Sequence, residues 1–407
     1  MDNEPLFISD DFGGIGHEDA LMREACSSIS AIRSNYVGNK RRLLSSIWET
    51  VTSNDIKSET ITDAFGGSGS VSALFASMGK QVKYNDLLLT SCVQAACLLS
   101  EKNRLLTDDE WKALILDPNG EKNSTLVRTH YAEKFFTDNE ALFLDRYLGN
   151  LKAMFPLSKD GLIYDCTRTP FENGKMKAIQ AACAFIGHIN SVCFIGGRYY
   201  NGQTIAKRDH RLEHAKNDGI ELHHSFMESV LKIPKISYPR GSSSWVYNFD
   251  VVELLSKKVP SGDLLYLDPP YGGDSSDYAS LYRFIEECIT GVRYEDDTVK
   301  VSKFSKFKNN KVYSELFKEV LAAADGYNTW LISFNQTSFA SLEEITNLIE
   351  EFGRTVDVKS VSISYKYRKK RRTIVLGKQV TGSDGETRRT MHMINGTDDE
   401  LLLLARK

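Results

Sequence analysis

The most chemically specific run in the chain is Leu264-Leu265-Tyr266-Leu267-Asp268-Pro269-Pro270-Tyr271. Four residues of strand character lead into an acid, two prolines and an aromatic. Proline has a fixed φ and no backbone N–H. The turn therefore offers the Asp268 carboxylate and backbone carbonyls as acceptors, with no N–H nearby to compete. Tyr271 adds a flat aromatic face. An exocyclic amino group on a planar base carries two N–H donors beside a π surface, and this set complements it. With nine prolines in 407 residues, a chance Asp-Pro-Pro-Tyr should arise on the order of once per thousand such chains. The plain alternative is a rigid turn that closes a buried strand.

A second constellation lies near the N-terminus, at Asp63-Ala64-Phe65-Gly66-Gly67-Ser68-Gly69-Ser70. Glycines let backbone approach a ligand closely, and the N–H groups of an opening helix attract anionic or carbonyl groups. No Gly-Lys-Ser or Gly-Lys-Thr closes the run, so it is not a P-loop. Asp86 follows at the end of the next strand, where an acid can accept hydrogen bonds from both ribose hydroxyls of an adenosyl cofactor.

These residues need strands to present them, and the apolar pattern supplies strands. Thr60–Phe65 reads as a strand, Ser70–Met78 as a helix, Gln81–Asp86 as a second strand, and Leu89–Leu99 as an apolar helix. A helix over Arg41–Val51 precedes them, with Leu43, Leu44, Ile47, Trp48 and Val51 at helical spacing. Strand-helix-strand-helix order with short joins predicts a parallel α/β sheet. From about Leu105 to Tyr238 the pattern turns mostly helical. Strands then return at Trp245–Phe249, Leu264–Leu267 and Thr329–Phe334, with Val356–Tyr367 and Thr373–Gly377 as closing strands. Helices are expected at Val312–Ala324 and Ser341–Phe352. The expected organisation is a loosely ordered lead-in over 1–34, a catalytic domain from 35–104 and 239–407, and an inserted domain over 105–238.

Composition bounds the function. Hydrophobic residues are 41% and charged residues 26%, which argues against wholesale disorder. No apolar run approaches membrane-spanning length, and the acidic start Met1-Asp2-Asn3-Glu4 lacks a signal segment. Seven cysteines without a Cys-x-x-Cys pair fit reduced thiols in a cytoplasmic protein rather than a disulfide framework. His210 and His214 have helical metal-pair spacing, but no third ligand pattern accompanies them, and no metal is expected. Net charge is −3, yet basic residues are locally dense. Lys366 to Arg372 is one run, containing Arg368, Lys369, Lys370 and Arg371. Lys303 and Lys306 belong to another.

With Asp268-Pro269-Pro270-Tyr271 placed after the glycine run, the chain resembles the D12-class, Dam-like DNA adenine N6-methyltransferases. Asn35-Tyr36-Val37-Gly38-Asn39-Lys40 looks like that family's N-terminal segment, which folds over the methionine end of S-adenosyl-L-methionine. Asp63 to Val71 looks like its glycine motif, Asn85-Asp86 its ribose-binding acid, and Phe249-Asp250-Val251 the segment beside the cofactor's adenine. Arg198-Tyr199-Tyr200-Asn201-Gly202 is similar to a family segment in the recognition domain, without the usual Phe-x-x-Pro continuation. The resemblance implies a Rossmann-like methyltransferase sheet with an inserted, mostly helical target-recognition domain. It implies Tyr36, Lys40, Asp63, Phe65, Gly67, Gly69, Asp86, Asp250 and Asp268 around the cofactor, with Asp268, Pro269, Pro270 and Tyr271 catalytic. Double-stranded DNA is the expected partner, met by Arg198, Tyr199, Asn201, Lys303, Lys306 and Arg368 to Arg371, with the target base flipped from the helix. A partner restriction endonuclease and a monomeric state are further expectations. The alternatives are a cytosine-N4, RNA or protein amino methyltransferase, and a catalytically silent DNA-binding protein on the same scaffold.

Overall fold

The computed structural model of the chain describes residues 15–31, 36, 38–100, 106–132, 136–155, 162–165, 173–195, 198–199, 238–239, 243–256, 262–271, 278–293, 307, 312–335, 338–363, 372–381, 387–395 and 398–407. Its strands in chain order are β1 (Thr60–Asp63), β2 (Gln81–Asn85), β3 (Leu162–Asp165), β4 (Phe194–Ile195), β5 (Arg198–Tyr199), β6 (Ser244–Tyr247), β7 (Leu264–Leu267), β8 (Thr329–Asn335), β9 (Thr355–Ile363), β10 (Arg372–Thr381), β11 (Thr387–Asn395) and β12 (Asp398–Arg406).

Eight of these form one mixed sheet in the order β3-β6-β2-β1-β7-β8-β12-β9. β6, β2, β1, β7 and β8 are mutually parallel. β12 runs antiparallel between β8 and β9, and β3 runs antiparallel at the far edge. The chain leaves β1 in one direction, through β2 and β6, and returns to lay β7 and β8 on β1's other side. The strand order thus reverses between β1 and β7, and the crevice beyond their carboxyl ends is where open α/β sheets bind ligands.

Side-chain alternation sorts the strands onto two cores. Ile61, Leu264, Tyr266, Leu331, Leu402 and Leu404 pack with Trp48, Phe75 and Leu99 on one face. Leu265, Leu267, Trp330, Ile332, Leu401 and Leu403 pack with Phe317, Val320 and Ile345 on the other. The four residues of β7 are all buried, as expected of a central parallel strand covered on both sides. Leu44–Ser53, Ser70–Ser77 and Leu89–Leu99 are helices as the apolar spacing predicts.

Helices Asp108–Leu116, Asp138–Met154 and Asn173–Cys193 lie within the stretch 105–238. Thr107 with Glu110, and Thr137 with Glu140, form reciprocal capping boxes that fix where the first two begin. Trp111, Tyr147 and Phe185 belong to the same apolar cluster as Phe75. The same stretch also supplies β3 to the main sheet, paired with β6. Glu287 is fully buried in helix Tyr278–Thr290, where it binds Arg283, Arg293 and the Tyr131 hydroxyl. Residues 201–237 of the expected insertion lie outside the described residues.

The structure corrects two expectations. Residues 15–31 of the supposed lead-in form a 17-residue helix that buries Met22, Ala25 and Ile29 in the core. Their 3- and 4-residue spacing makes one apolar stripe. The segment Thr373–Gly377 does not close the main sheet: it lies in β10, which pairs with β11 in a separate two-stranded sheet. The strand that closes the main sheet beside β8 is β12.

Candidate active site

The carboxyl ends of β1, β7 and β8 converge with the segment around Lys40 and with β12. Lys40 is 5% exposed, and its Nζ lies 3.0 Å from Asp268 Oδ1. It donates to the Tyr271 hydroxyl at 2.8 Å and to the Gly38 carbonyl at 3.3 Å. The Tyr271 hydroxyl donates to Asp268 Oδ1 at 2.7 Å. One carboxylate oxygen of Asp268 is thus held from inside by an ammonium and a phenol. Among the described residues nothing engages Oδ2, on a side chain that stays 17% exposed. Pro269 and Pro270 are buried behind it, and the Phe339 N–H donates to the Tyr271 carbonyl at 2.9 Å. Burial pushes the Asp268 carboxyl up, Lys40 pulls it back, and Glu400 pushes it up again.

Glu400 is a member of this cluster that the sequence reading missed. It sits on β12, 7% exposed, with Oε2 3.6 Å from Lys40 Nζ. The same oxygen lies 3.3 Å from the Tyr271 hydroxyl and accepts from Ser333 Oγ at 3.4 Å. Asn335 Nδ2 reaches the other oxygen at 3.5 Å. No local motif marks Glu400, because its place is set by the pairing of β12 with β8.

The glycine turn lies beside this cluster. Gly67 and Gly69 both have left-handed φ, +50° and +71°, a region in which a side chain is strained. The Asp86 carboxylate accepts from the Gly67 N–H at 2.9 Å through Oδ2 and from the Leu88 N–H at 2.8 Å through Oδ1. Ser91 also donates to it. A carboxylate has about four acceptor sites, so capacity for a further donor remains. Asp63 Oδ2 accepts from Ser72 Oγ at 2.7 Å, while Asp63 Oδ1 is buried with no hydrogen-bond partner among the described residues. Burial is the main cause that raises Asp63 to about 7 and Asp86 to about 6. Tyr36 stacks on Tyr282, ring centroids 5.2 Å apart, over the turn that holds Gly67. Phe65 meets Phe307 edge to face.

Two asparagines tie the ends of β2 and β6 together. Asn85 exchanges hydrogen bonds with the backbone of Phe249 and donates to the Ala64 carbonyl. Asn248 donates to the carbonyls of Asp86 and Leu87. Asp250 itself is exposed and caps helix Val251–Ser256 through the Val252 N–H.

The structure therefore brings Tyr36, Lys40, Asp63, Gly67, Gly69, Asp86, Asp268 and Tyr271 to one crevice. Of the expected DNA-contacting residues, Arg198 and Tyr199 form β5, paired with β4. Asn201, Lys303, Lys306, Arg368, Lys369, Lys370 and Arg371 lie outside the described residues, as do His210 and His214. Among the described residues no group of His, Cys, Asp and Glu is arranged to hold a metal, and no helix is long and apolar enough to cross a membrane.

The chain is similar to a known family and to several known proteins. The profile of the family "D12 class N6 adenine-specific DNA methyltransferase" matches residues 36–159, which include Lys40, the glycine turn and Asp86. The chain is 26% identical over 333 residues to Type II methyltransferase M2.HphI of Haemophilus parahaemolyticus, covering 82% of this chain and 91% of that protein. It is 25% identical to modification methylase LlaI of Lactococcus lactis subsp. lactis and 25% identical to modification methylase StsI of Streptococcus sanguinis. Those alignments cover 78% and 80% of this chain but 48% of each relative, so the chain spans about half their length.

Proposed function

We propose, for a chain that belongs to the D12 class of N6 adenine-specific DNA methyltransferases, a modification enzyme that flips its target adenine out of double-stranded DNA and methylates it from S-adenosyl-L-methionine. The observation that carries this reading is the divided Asp268 carboxylate. Oδ1 is fixed by Lys40 and Tyr271, and no hydrogen bond engages Oδ2 among the described residues. A carboxylate so divided cannot swing to meet solvent. It offers one pre-aimed acceptor to an incoming amine, and such alignment supplies much of a transfer rate.

The crevice residues fit the proposed cofactor. The partnerless buried oxygen of Asp63 suits a ligand that carries an ammonium donor. The remaining acceptor capacity of Asp86 suits a ribose hydroxyl. Tyr36 and the Gly67–Gly69 turn would close over the chain between these ends. When bound, S-adenosyl-L-methionine supplies an electrophilic methyl group on a sulfonium sulfur.

The protein's own part is placement and proton management. Asp268 Oδ2 accepts one amine N–H, and the Pro269 carbonyl is the second acceptor. That pairing draws the nitrogen toward tetrahedral geometry and frees its lone pair. As the nitrogen gains carbon it must shed one proton, and Asp268 is the nearest base. The Tyr271 ring provides a stacking face for the extruded base, a contact worth about 1–3 kcal/mol. Its hydroxyl is turned into the Lys40 cluster, which fixes the ring's tilt. The basic runs at Lys303, Lys306 and Arg368 to Arg371 supply phosphate contacts and nonspecific affinity.

The relatives' printed names, a type II methyltransferase and two modification methylases, support assignment to type II modification; a cognate restriction endonuclease is the partner this reading proposes. The test is incubation with methyl-labelled S-adenosyl-L-methionine and duplex DNA, followed by nucleoside analysis and sequencing for modified positions. Label in N6-methyladenine at a fixed sequence is the expected result. Label only in N4-methylcytosine, or none, refutes the proposal.

A further inference from the structure

We propose that Glu400 is a positioning residue for methyl transfer, dividing the charge of Lys40 so that Asp268 remains a free acceptor. The inference rests on the function proposed above. β12 carries the sequence Leu401-Leu402-Leu403-Leu404-Ala405 directly after Glu400, and all five of these residues are buried. An apolar side chain at position 400 would continue that pattern, and a buried carboxylate is costly unless it is paired. Glu400 is paired with the ammonium that also serves Asp268, at 3.6 Å and 3.0 Å respectively.

The arithmetic of charge explains the arrangement. One ammonium facing one carboxylate would form a closed pair whose acceptor strength is spent. One ammonium shared by two carboxylates leaves the cluster with a surplus negative charge. That surplus keeps Asp268 basic enough to receive the amine N–H. The described groups that face Glu400 are Lys40, Asp268 and Tyr271, with Tyr266 on β7 and Ser333 and Asn335 on β8. On the β9 side it is paired with Val361, which carries no charge. Glu400 already acts on Asp268 in the direction this role requires, raising its affinity for a proton.

The test measures single-turnover methyl transfer to duplex DNA from pH 5 to pH 9 with the full chain. It compares the parent, Glu400→Gln, Lys40→Met and the double variant, and follows cofactor binding by calorimetry as the control for folding. In Glu400→Gln the plateau rate should fall about tenfold, about 1.4 kcal/mol of lost interaction. The acid limb should move to lower pH, because Asp268 loses a like-charge neighbour. In the Lys40→Met background the same substitution should cost nothing further, or should restore rate, because it removes repulsion between two carboxylates left without a cation. A fall in rate with the acid limb unmoved and an equal loss in both backgrounds would assign Glu400 a merely structural part and overturn the proposal, as would a parental rate. If Glu400→Gln does not bind cofactor, Glu400→Asp carries the test. It keeps the charge but withdraws it by one methylene, and should give a smaller shift of the same sign; an unmoved limb there again overturns the proposal. If the parent forms no N6-methyladenine, the proposed function itself falls. If the parent forms it and the variants disagree, only the role of Glu400 falls.

Discussion

Replacing Gly66 by alanine should damage the cofactor crevice by a route that can be traced atom by atom. A Cβ built on Gly66 lies 2.1 Å from Tyr84 Cε2, 2.4 Å from Cδ2 and 2.7 Å from Cζ. Carbon atoms in contact need about 3.5–4.0 Å, so the ring must retreat by more than about 1 Å. It has nowhere to go, since Tyr84 is fully buried and its hydroxyl donates to the Gly67 carbonyl at 2.8 Å. Overpacking of a closed core costs about 1–3 kcal/mol, and loss of the hydroxyl bond adds about 1 kcal/mol. Gly66→Ala should therefore lower stability by about 2–4 kcal/mol in urea unfolding at unchanged slope. It should also weaken S-adenosyl-L-methionine binding in calorimetry, because Gly66 and Gly67 bear the turn that Asp86 holds. Tyr84→Leu in the Gly66→Ala background should relieve the clash, so that the double variant loses less than the sum of the singles by about 1 kcal/mol or more. Parental stability in Gly66→Ala, or strict additivity in the double variant, would show that ring and turn do not meet as described.

Asp268→Ala should abolish label transfer to DNA while calorimetric affinity for the cofactor stays within about threefold, since the missing acceptor serves the amine; turnover near the parental rate would remove the carboxylate from its assigned role. Asp63 and Asp86, raised to about 7 and about 6 in the folded protein from a usual 3.8, bind protons that the unfolded chain has already released. Their stabilising contribution is complete below about pH 4 and is lost as pH rises through 6 and then 7, at about 1.4 kcal/mol for each pH unit between the unfolded and folded values. The unfolding free energy of the cofactor-free protein should accordingly fall more between pH 5 and pH 8 than that of the Asp63→Asn/Asp86→Asn variant, and equal slopes would contradict the assignment. Neutralising Arg368, Lys369, Lys370 and Arg371 should weaken DNA binding evenly across sequences and flatten log affinity against log salt by about 0.9 for each phosphate left unneutralised; an unchanged slope would mean that the run does not touch phosphates.

What the sequence revealed, and what it hid, follows from whether a signal is local. β1, β2 and β7 were legible because each is a short run of strand character that leads to a residue with chemistry, and the acid or glycine at its end marks the carboxyl end. Asp86, Asp268 and Tyr271 stand at or just after such ends, whereas Lys40 was named only through the family resemblance. The helix Ile15–Ala31 was hidden by Cys26-Ser27-Ser28-Ile29-Ser30, whose serines resemble a loop. Its stripe of Met22, Ala25 and Ile29 becomes decisive only against the core that it covers. β12 was missed because Glu400 and four leucines are good helix formers by propensity. They extend here because β8 and β9 offer backbone partners on both sides. Glu400 and Asn248 were invisible in the same sense: each acts on a residue far away in the chain, and nothing beside it in sequence records the target.

The position of β12 also ties the site to the completion of the sheet. β12 pairs with β8 on one side and β9 on the other, so residues 398–406 lie between two strands that precede them in the chain. The strand that joins those two also brings Glu400 to Lys40, so backbone pairing and the charge cluster share one element.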